Sequence, residues 1–235
     1  MKADLHIHSC LSPCGDMEMT PSDLVGMAKV CGLDLIALTD HNSAKNCPAA
    51  AEAAKHYGIG FIPGIEVNTS EDIHCVCLFP EVEDAMSFDR YLYERIPFIK
   101  NKENVFGEQL IVHPDGSTEK EEKLLLTACD ISIVELPAIV EEFGGICWPA
   151  HVDRDSNSLF SMLGTWPQDL DVKAVEIRKI LPPGVPANLK VIKASDSHDM
   201  AHMMQQGGYE MDLETADFEG LYMYIMDKVR HRRRR

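Results

Sequence analysis

Short apolar runs alternate with helical patterns along almost the whole of this 235-residue chain, and that alternation constrains its fold more than any other feature. ADLHI (3–7) reads as a strand. PSDLVGMAKVCG (21–32) reads as a helix, opened by Pro21, whose fixed φ suits a first turn, and closed by Gly32. LDLIAL (33–38) is a buried strand, followed by an Ala-rich helix from Ala44 to Tyr57 that ends at Gly58. Strand patterns at GFIPGIEV (60–67) and HCVCLF (74–79) precede a helix over 83–95. Helical patterns over 118–129 and 136–143 come next, the second closed by Gly144 and Gly145. Strands recur at ICWPA (146–150), VKAVEI (172–177) and LKVIKAS (189–195), and GYEMDL (208–213) leads to a last helix over 214–229. Such alternation predicts an α/β fold with a mainly parallel sheet covered by helices. Periodicity alone leaves both an open sheet and a closed barrel; seven strand candidates in one domain spanning 1–235 favour the barrel. The segment 98–117 breaks the pattern: QLIVH followed by PDG predicts a hairpin or an excursion over the barrel mouth.

Histidines gather at the strand ends. His6 and His8 lie two apart on a strand, so both imidazoles face one side. Asp40 and His41 follow LDLIAL, Glu66 lies near the end of GFIPGIEV, and His74 begins the next strand. His151 follows ICWPA, and Asp196 and His198 follow LKVIKAS. In parallel α/β architectures that rim is where ligands and chemistry collect. One histidine in such a place is ordinarily a hydrogen-bonded structural residue. Six of them sharing the placement with several carboxylates predict a metal site. Neutral imidazole with carboxylate suits zinc, manganese or iron, and the lack of thiolate in the pattern points to a catalytic site rather than a structural one. Cys10 and Cys14 flank the site and Cys75 and Cys77 alternate on a strand, but none forms a CxxC pair. They read as small hydrophobes, although an exposed Cys10 or Cys14 would bring sensitivity to oxidation. His56, His113, His202 and His231 read as non-ligands.

The blocks DLHIHS (4–9), TDHN (39–42), PGIEV (63–67), PAHVDR (149–154) and SDSH (195–198), in that order, resemble the PHP family, named for polymerase and histidinol phosphatase. The resemblance implies a distorted (β/α)7 barrel with two or three divalent metal ions at its C-terminal mouth. It implies that His6 and His8 hold one metal with Glu66 and Asp196, and that Glu66 bridges to a second held by His74 and His151. A third would fall to His41 and His198 with Asp16. Here the chain departs from the family pattern: SPCGD carries an apparent three-residue insertion, Pro13–Gly15, before Asp16. An Asp16 not aimed inward would leave the third site weaker or empty. Asp40 either touches a metal or its nucleophilic water, or orients a histidine ligand as metal-bound imidazoles require, and Asp4 has the orienting role too.

Charge enters at this point. The chain has 22 basic and 38 acidic residues, a formal net charge of −16, and five of its arginines fall in the last six positions. So acidic a body argues against long nucleic acid as a partner, because non-specific binding rests on cationic neutralisation of phosphates. The Arg-rich tail reads as a solubilising end, a helix terminus or an attachment arm. A focused positive metal cluster within an acidic surface attracts a small phosphorylated anion. With no P-loop, G-x-S-x-G elbow or dinucleotide fingerprint, the resemblance implies a phosphoesterase that hydrolyses a small phosphorylated metabolite, such as a nucleotide, by a metal-activated water. Histidinol phosphate stays open as a substrate, and a non-catalytic metal-binding or regulatory module is the alternative. Arg154 and Arg178 are candidate phosphate clamps, or salt-bridge partners in an acidic protein, with Lys179 beside them. No run is long and apolar enough to span a membrane, and the N-terminus shows no leader pattern, which together predict a cytoplasmic protein with reduced thiols.

Overall fold

The computed structural model describes the backbone of residues 1–232 and side chains through Met226. His231 and the Arg-rich tail lie outside these described side chains. Seven strands form a curled ring. β1 (Lys2–Ile7), β2 (Leu35–Leu38) and β3 (Gly60–Asn68) pair in parallel. β4 (His74–Leu78) turns back antiparallel to β3, and β7 (Ile146–Pro149) runs antiparallel to β4. β8 (Ala174–Ile177) and β9 (Lys190–Lys193) form a separate parallel pair. A parallel bridge between Ile7 and Ser197, just past β9, brings this pair back beside β1. The result is the distorted seven-stranded α/β barrel expected of the sequence, with one antiparallel strand in its wall.

Two short hairpin strands, β5 (Leu110–Val112) and β6 (Thr118–Lys120), pair away from the ring, and β10 (Tyr209–Glu210) adds antiparallel to β1. The hairpin at QLIVH–PDG is therefore present. The helix expected over 118–129 is absent; β6 and an irregular loop occupy it. Leu125 of that loop is buried against Leu11 and Ile111, so its leucines anchor an excursion instead of forming a helical stripe. Three asparagines do the anchoring. Asn42 donates to the Leu125 and Thr127 carbonyls, Asn68 to Leu126, and Asn46 both donates to Leu110 and accepts from Val112.

Strand alternation puts the site on the same face as the core. Ile62, Val76, Leu78, Trp148, Ala174 and Ile192 belong to one inner cluster, joined by Leu221 and Ile225 of α8 (Phe218–Arg232). Two or four residues further along the same faces come Glu66, His74, Glu176 and Asp196. The apolar half of the barrel thus passes into a polar half by period-two continuation alone. Residues of opposite phase, such as Ile36, Leu38, Ile65, Cys75, Cys77 and Val175, pack outward beneath the helices. A register shift between Asp4 and Ile7 lets β1 supply Ala3 and Leu5 to the inner cluster and Ile7 to the outer one. Gly64 is required by crowding: a Cβ there would lie 2.5 Å from a Leu78 methyl and 2.7 Å from the Cys77 carbonyl oxygen.

α1 (Pro21–Val30) starts at Thr20, whose side chain accepts from the Asp23 N–H, and α2 (Cys47–Tyr57) ends at Gly58 in the left-handed region. Shorter helices that the sequence patterns did not show are α4 (Glu103–Phe106), α6 (Leu159–Leu163) and α7 (Met200–Gln206). α3 (Val82–Tyr93) and α5 (Leu136–Glu142) match their predicted positions closely. Between the N-terminal ends of β7 and β8 the wall opens into a cavity of 860 Å³, lined partly by α8 and by none of the clustered histidines. Among the described residues no helix is long and apolar enough to cross a membrane.

Candidate metal centre

His6 and His8 leave β1 side by side, with their Nε2 atoms 3.1 Å apart. Neighbouring groups set both tautomers. The Ser12 hydroxyl donates to Asp40 Oδ1 at 2.7 Å, so it accepts at its lone pairs, from the His41 backbone N–H at 3.1 Å and from His8 Nδ1 at 2.9 Å. His8 therefore carries its proton on Nδ1 and turns the Nε2 lone pair into the cluster. His6 Nδ1 lies 3.1 and 3.2 Å from the two carboxylate oxygens of Glu176, which fixes the same tautomer there. Two nitrogen lone pairs then face each other in a buried space. Only a cation or a proton between them makes that arrangement favourable.

Glu66 is the hub. Its Oε1 is 3.2 Å from His6 Nε2, 3.0 Å from His74 Nδ1 and 3.1 Å from His151 Nε2, and its Oε2 is 2.9 Å from His41 Nδ1 and 3.3 Å from His8 Nε2. Asp196 Oδ1 lies 3.3 Å from His8 and 3.5 Å from His6. All these side chains are buried. Yet Glu66 Oε2, His41 Nδ1, His74 Nδ1 and Asp196 Oδ1 make no hydrogen bond. Atoms this close but without hydrogen bonds, and shielded from water, form a donor set that could hold a metal ion. Three sets of donors fall within ligand-sharing distance: His6, His8, Glu66 and Asp196; His41, Glu66 and His74; and His8, His41 and His198. The donor set and its orphaned atoms fit divalent cations of the zinc, manganese or iron kind.

The electrostatics agree. Burial works against the charge on Glu66, but His74, His6 and His41 hold its carboxyl well below the usual range. Burial likewise opposes charge on Asp196, which His6 and His8 outweigh. Burial pushes His41 down to about 3 and, with His8 beside it, His198 to about 4, so both are neutral donors. Burial also disfavours charge on His8, but Asp196 and Glu66 win and raise it to about 9. A proton there stands where a cation can.

Backbone geometry supports the same focus. His151 and Asp196 have φ of 29° and 53°, values rarely adopted by residues other than glycine. Strain of this kind, on the order of 1–3 kcal/mol each, persists where surrounding contacts hold it.

Most expected site residues meet here, but Asp16 does not. It is exposed, its Oδ1 accepts from the Glu18 N–H at 2.9 Å, and it joins none of the three donor sets. It follows the Pro13–Gly15 turn, which leaves its side chain at the surface. His8 completes the set in which Asp16 was expected. Asp40 touches no cluster histidine directly; it accepts from the Ser9 N–H and hydroxyl and reaches His8 through Ser12. Asp4 accepts from the Ser195 N–H, beside Asp196, and burial raises its carboxyl to about 6. Arg154 lies 3.0 Å and Arg178 3.8 Å from Asp196 Oδ2, each side chain about one-third exposed. They are salt-bridge partners whose remaining N–H groups are open to a ligand. Lys179 is exposed, and its backbone N–H is held by Asp153.

Cys10, Cys75 and Cys77 are buried, and burial pushes the Cys10 thiol up to about 12, which makes it a poor nucleophile. Cys14 alone of the four is exposed. The sequence patterns missed Ser12 and Glu176. The second had a signal: a lone acid in the apolar run VKAVEI, in phase with inward-facing Ala174.

A profile of the PHP domain matches residues 4–132. The 3′,5′-nucleoside bisphosphate phosphatase of Chromobacterium violaceum is 40% identical over 73 residues, 31% of this chain and 25% of its own length. The chain matches less than half the length of such curated relatives. The lesion-specific endonuclease of Pyrococcus furiosus superposes over 96% of this chain and 56% of its own, with a TM-score of 0.70 and 17% identity. Endonuclease Q in complex with a 27-mer duplex containing an abasic lesion superposes over 96% of this chain and 56% of its own, with a TM-score of 0.67 and 16% identity. These likenesses establish the fold. They also correct the expectation, drawn from net charge, that long nucleic acid is no partner for a chain of this kind: Endonuclease Q, which contains this fold, is found in complex with a DNA duplex. Net charge sums the whole surface, whereas a bound phosphate meets only the local field where it sits.

Proposed function

From the premise that this chain belongs to the PHP domain family, we propose that it is a metal-dependent phosphoesterase acting on the phosphate ester of a nucleotide. The buried set His6, His8, Glu66 and Asp196, with its unpartnered ligand atoms, carries this reading. His41, His74, His151 and His198 would extend it to two or three divalent ions, zinc, manganese or iron, and Glu66 belongs to two of the donor sets that would hold them. Ions held there supply Lewis acidity: they lower the pKa of a coordinated water and neutralise phosphate charge. The chain's own residues do the rest. Ser12, backed by Asp40, keeps the His8 lone pair pointed inward. Arg154 and Arg178 offer guanidinium N–H groups beside Asp196, where a phosphate entering the mouth meets them. No serine, threonine or cysteine lies among the clustered donors, so the attack falls to a water and the carboxylates and imidazoles are left as ligands.

A nucleoside bisphosphate phosphatase and a duplex-bound endonuclease among the similar proteins support a nucleotide substrate, at scales from a small phosphorylated metabolite to a strand. The test is metal analysis of the purified chain beside a hydrolysis panel: an aryl phosphate monoester and diester, a nucleoside 3′,5′-bisphosphate, a single strand and a lesion-bearing duplex. Metal-dependent turnover is expected, with His8→Ala and Asp196→Ala each lowering it by roughly three orders of magnitude or more, as loss of electrostatic stabilisation of the transition state does. Bound metal without turnover on any member would instead indicate a binding module.

A further inference from the structure

We propose that Glu176 is a positioning residue that sets two ligands of the metal centre at once, an inference that rests on reading the cluster as a metal site. Glu176 stands in the middle of β8, fully buried. Its carboxylate faces His6 Nδ1 with both oxygens, at 3.1 and 3.2 Å. The same Oε1 accepts the His151 backbone N–H at 3.1 Å, and the Glu176 carbonyl accepts the Val152 N–H at 2.9 Å.

These contacts matter because of where they fall. β7 ends the six-stranded sheet and β8 begins a separate pair, so no strand ladder joins them among the described residues. At their N-terminal ends the two strands part around the 860 Å³ cavity. At their C-terminal ends the seam is closed by the Glu176 side chain and its carbonyl. His151 sits on that seam with its φ of 29°, so its unfavourable backbone is held partly by the bond to Glu176. His6 lies on the other side of the same carboxylate. One side chain therefore fixes the tautomer of His6 and the turn that aims His151 at Glu66.

Glutamine is the informative replacement, since it keeps shape and removes an acceptor. Whichever way its amide lies, one end presents N–H groups toward a partner that is itself a donor. Even with the amide oxygen at the Oε1 position, its N–H groups then face His6 Nδ1, and satisfying them there favours the tautomer with the proton on Nε2, the atom that faces the cluster.

The experiment is a zinc titration of the full chain and of Glu176→Gln against a chromophoric chelator, with far-UV circular dichroism as the control for folding. Affinity should fall about 10–100-fold in Glu176→Gln, the size usual for loss of a group that orients a metal ligand. Because that variant could fail to fold, nitrogen-15 spectra of histidine-labelled, zinc-loaded wild-type protein give an independent reading. His6 should coordinate through Nε2 and retain a slowly exchanging proton on Nδ1. A folded Glu176→Gln protein that binds zinc within twofold of wild type overturns the proposal while leaving the metal site intact. Coordination of His6 through Nδ1 overturns it as well. Wild-type protein that takes up no divalent ion removes the metal reading and the role of Glu176 with it.

Discussion

Single side chains in this protein act through the atoms they leave free. Asp153 shows this outside the cluster. It follows His151 by two positions and collects the backbone N–H groups of Arg178, Lys179 and Ile180 at 2.7–3.0 Å. Burial opposes its charge, but these three donors hold its carboxyl below the ordinary range. A depressed carboxylate contributes stability above its unfolded pKa and loses it as pH falls through the folded one. Asp153→Asn should therefore lower the melting temperature at pH 7, and the gap from wild type should close below about pH 4, near the ordinary aspartate pKa. A gap that is unchanged at acid pH would show that charge is not what Asp153 contributes. The variant should also weaken phosphate binding, since the turn it holds carries Arg178. Most ligand candidates were legible from the sequence because strand ends announce themselves through apolar runs. Asp16 was misplaced for a local reason: its side chain found a partner two residues away, in Glu18, which spacing along the chain does not reveal. Ser12 was illegible because its role depends on a hydroxyl caught between His8 and Asp40, which come from different strands.

At the scale of elements, buried strands were easier to read than the excursion laid over them. β1 to β4 and β7 to β9 all lie within one residue of their predicted runs, because most of them carry short apolar stretches that give way to polar residues near an end. The antiparallel direction of β4 was not legible, since periodicity carries no sense of direction. It follows from the short Thr69–Ile73 link, in which Thr69 and Ile73 share a backbone hydrogen bond and leave no room for a crossover helix. The loop after β6 misled because Leu124, Leu125 and Leu126 resemble a helical stripe, while the Leu125 and Leu126 carbonyls accept from asparagines at the barrel rim and the Leu124 carbonyl closes a turn with the Thr127 N–H. Asn42 is central there: it bridges Leu125, Thr127 and the Asn68 N–H from a backbone with φ of 50°. Asn42→Ala should strip three buried hydrogen bonds and cost roughly 2–4 kcal/mol, by leaving their partners unsatisfied. Hydrogen exchange should show the loss concentrated in 109–127. Uniform loss across the barrel would mean that the excursion and the barrel unfold as one unit.

For the molecule as a whole, the barrel places two buried carboxylates and six imidazoles where a smaller protein would place apolar side chains. The lower half, filled by Trp148, Leu78, Ile62 and the residues of α8, supplies the packing that makes this tolerable. Without cations the cluster falls back on protons, of which the one at His8 is held up to about pH 9. Metal uptake then displaces protons, so it tightens as pH rises toward that value and weakens as pH falls. Ions that bind only the folded chain add RT ln(1 + [M]/Kd) to its stability, about 2.7 kcal/mol at a hundredfold excess over Kd. For a chain of this length that is a rise in melting temperature of about 5–10 °C, because each kcal/mol is worth about 2–4 °C. Chelation should remove the increment, and readdition of zinc or manganese should restore it. The increment should shrink between pH 8 and pH 6 as protons compete for His8. It should also survive Asp16→Ala, because Asp16 lies outside every donor set, and vanish in Glu66→Gln, because Glu66 faces five imidazoles. A metal-dependent increment lost in Asp16→Ala but kept in Glu66→Gln would place the ions at the exposed loop and not in the barrel.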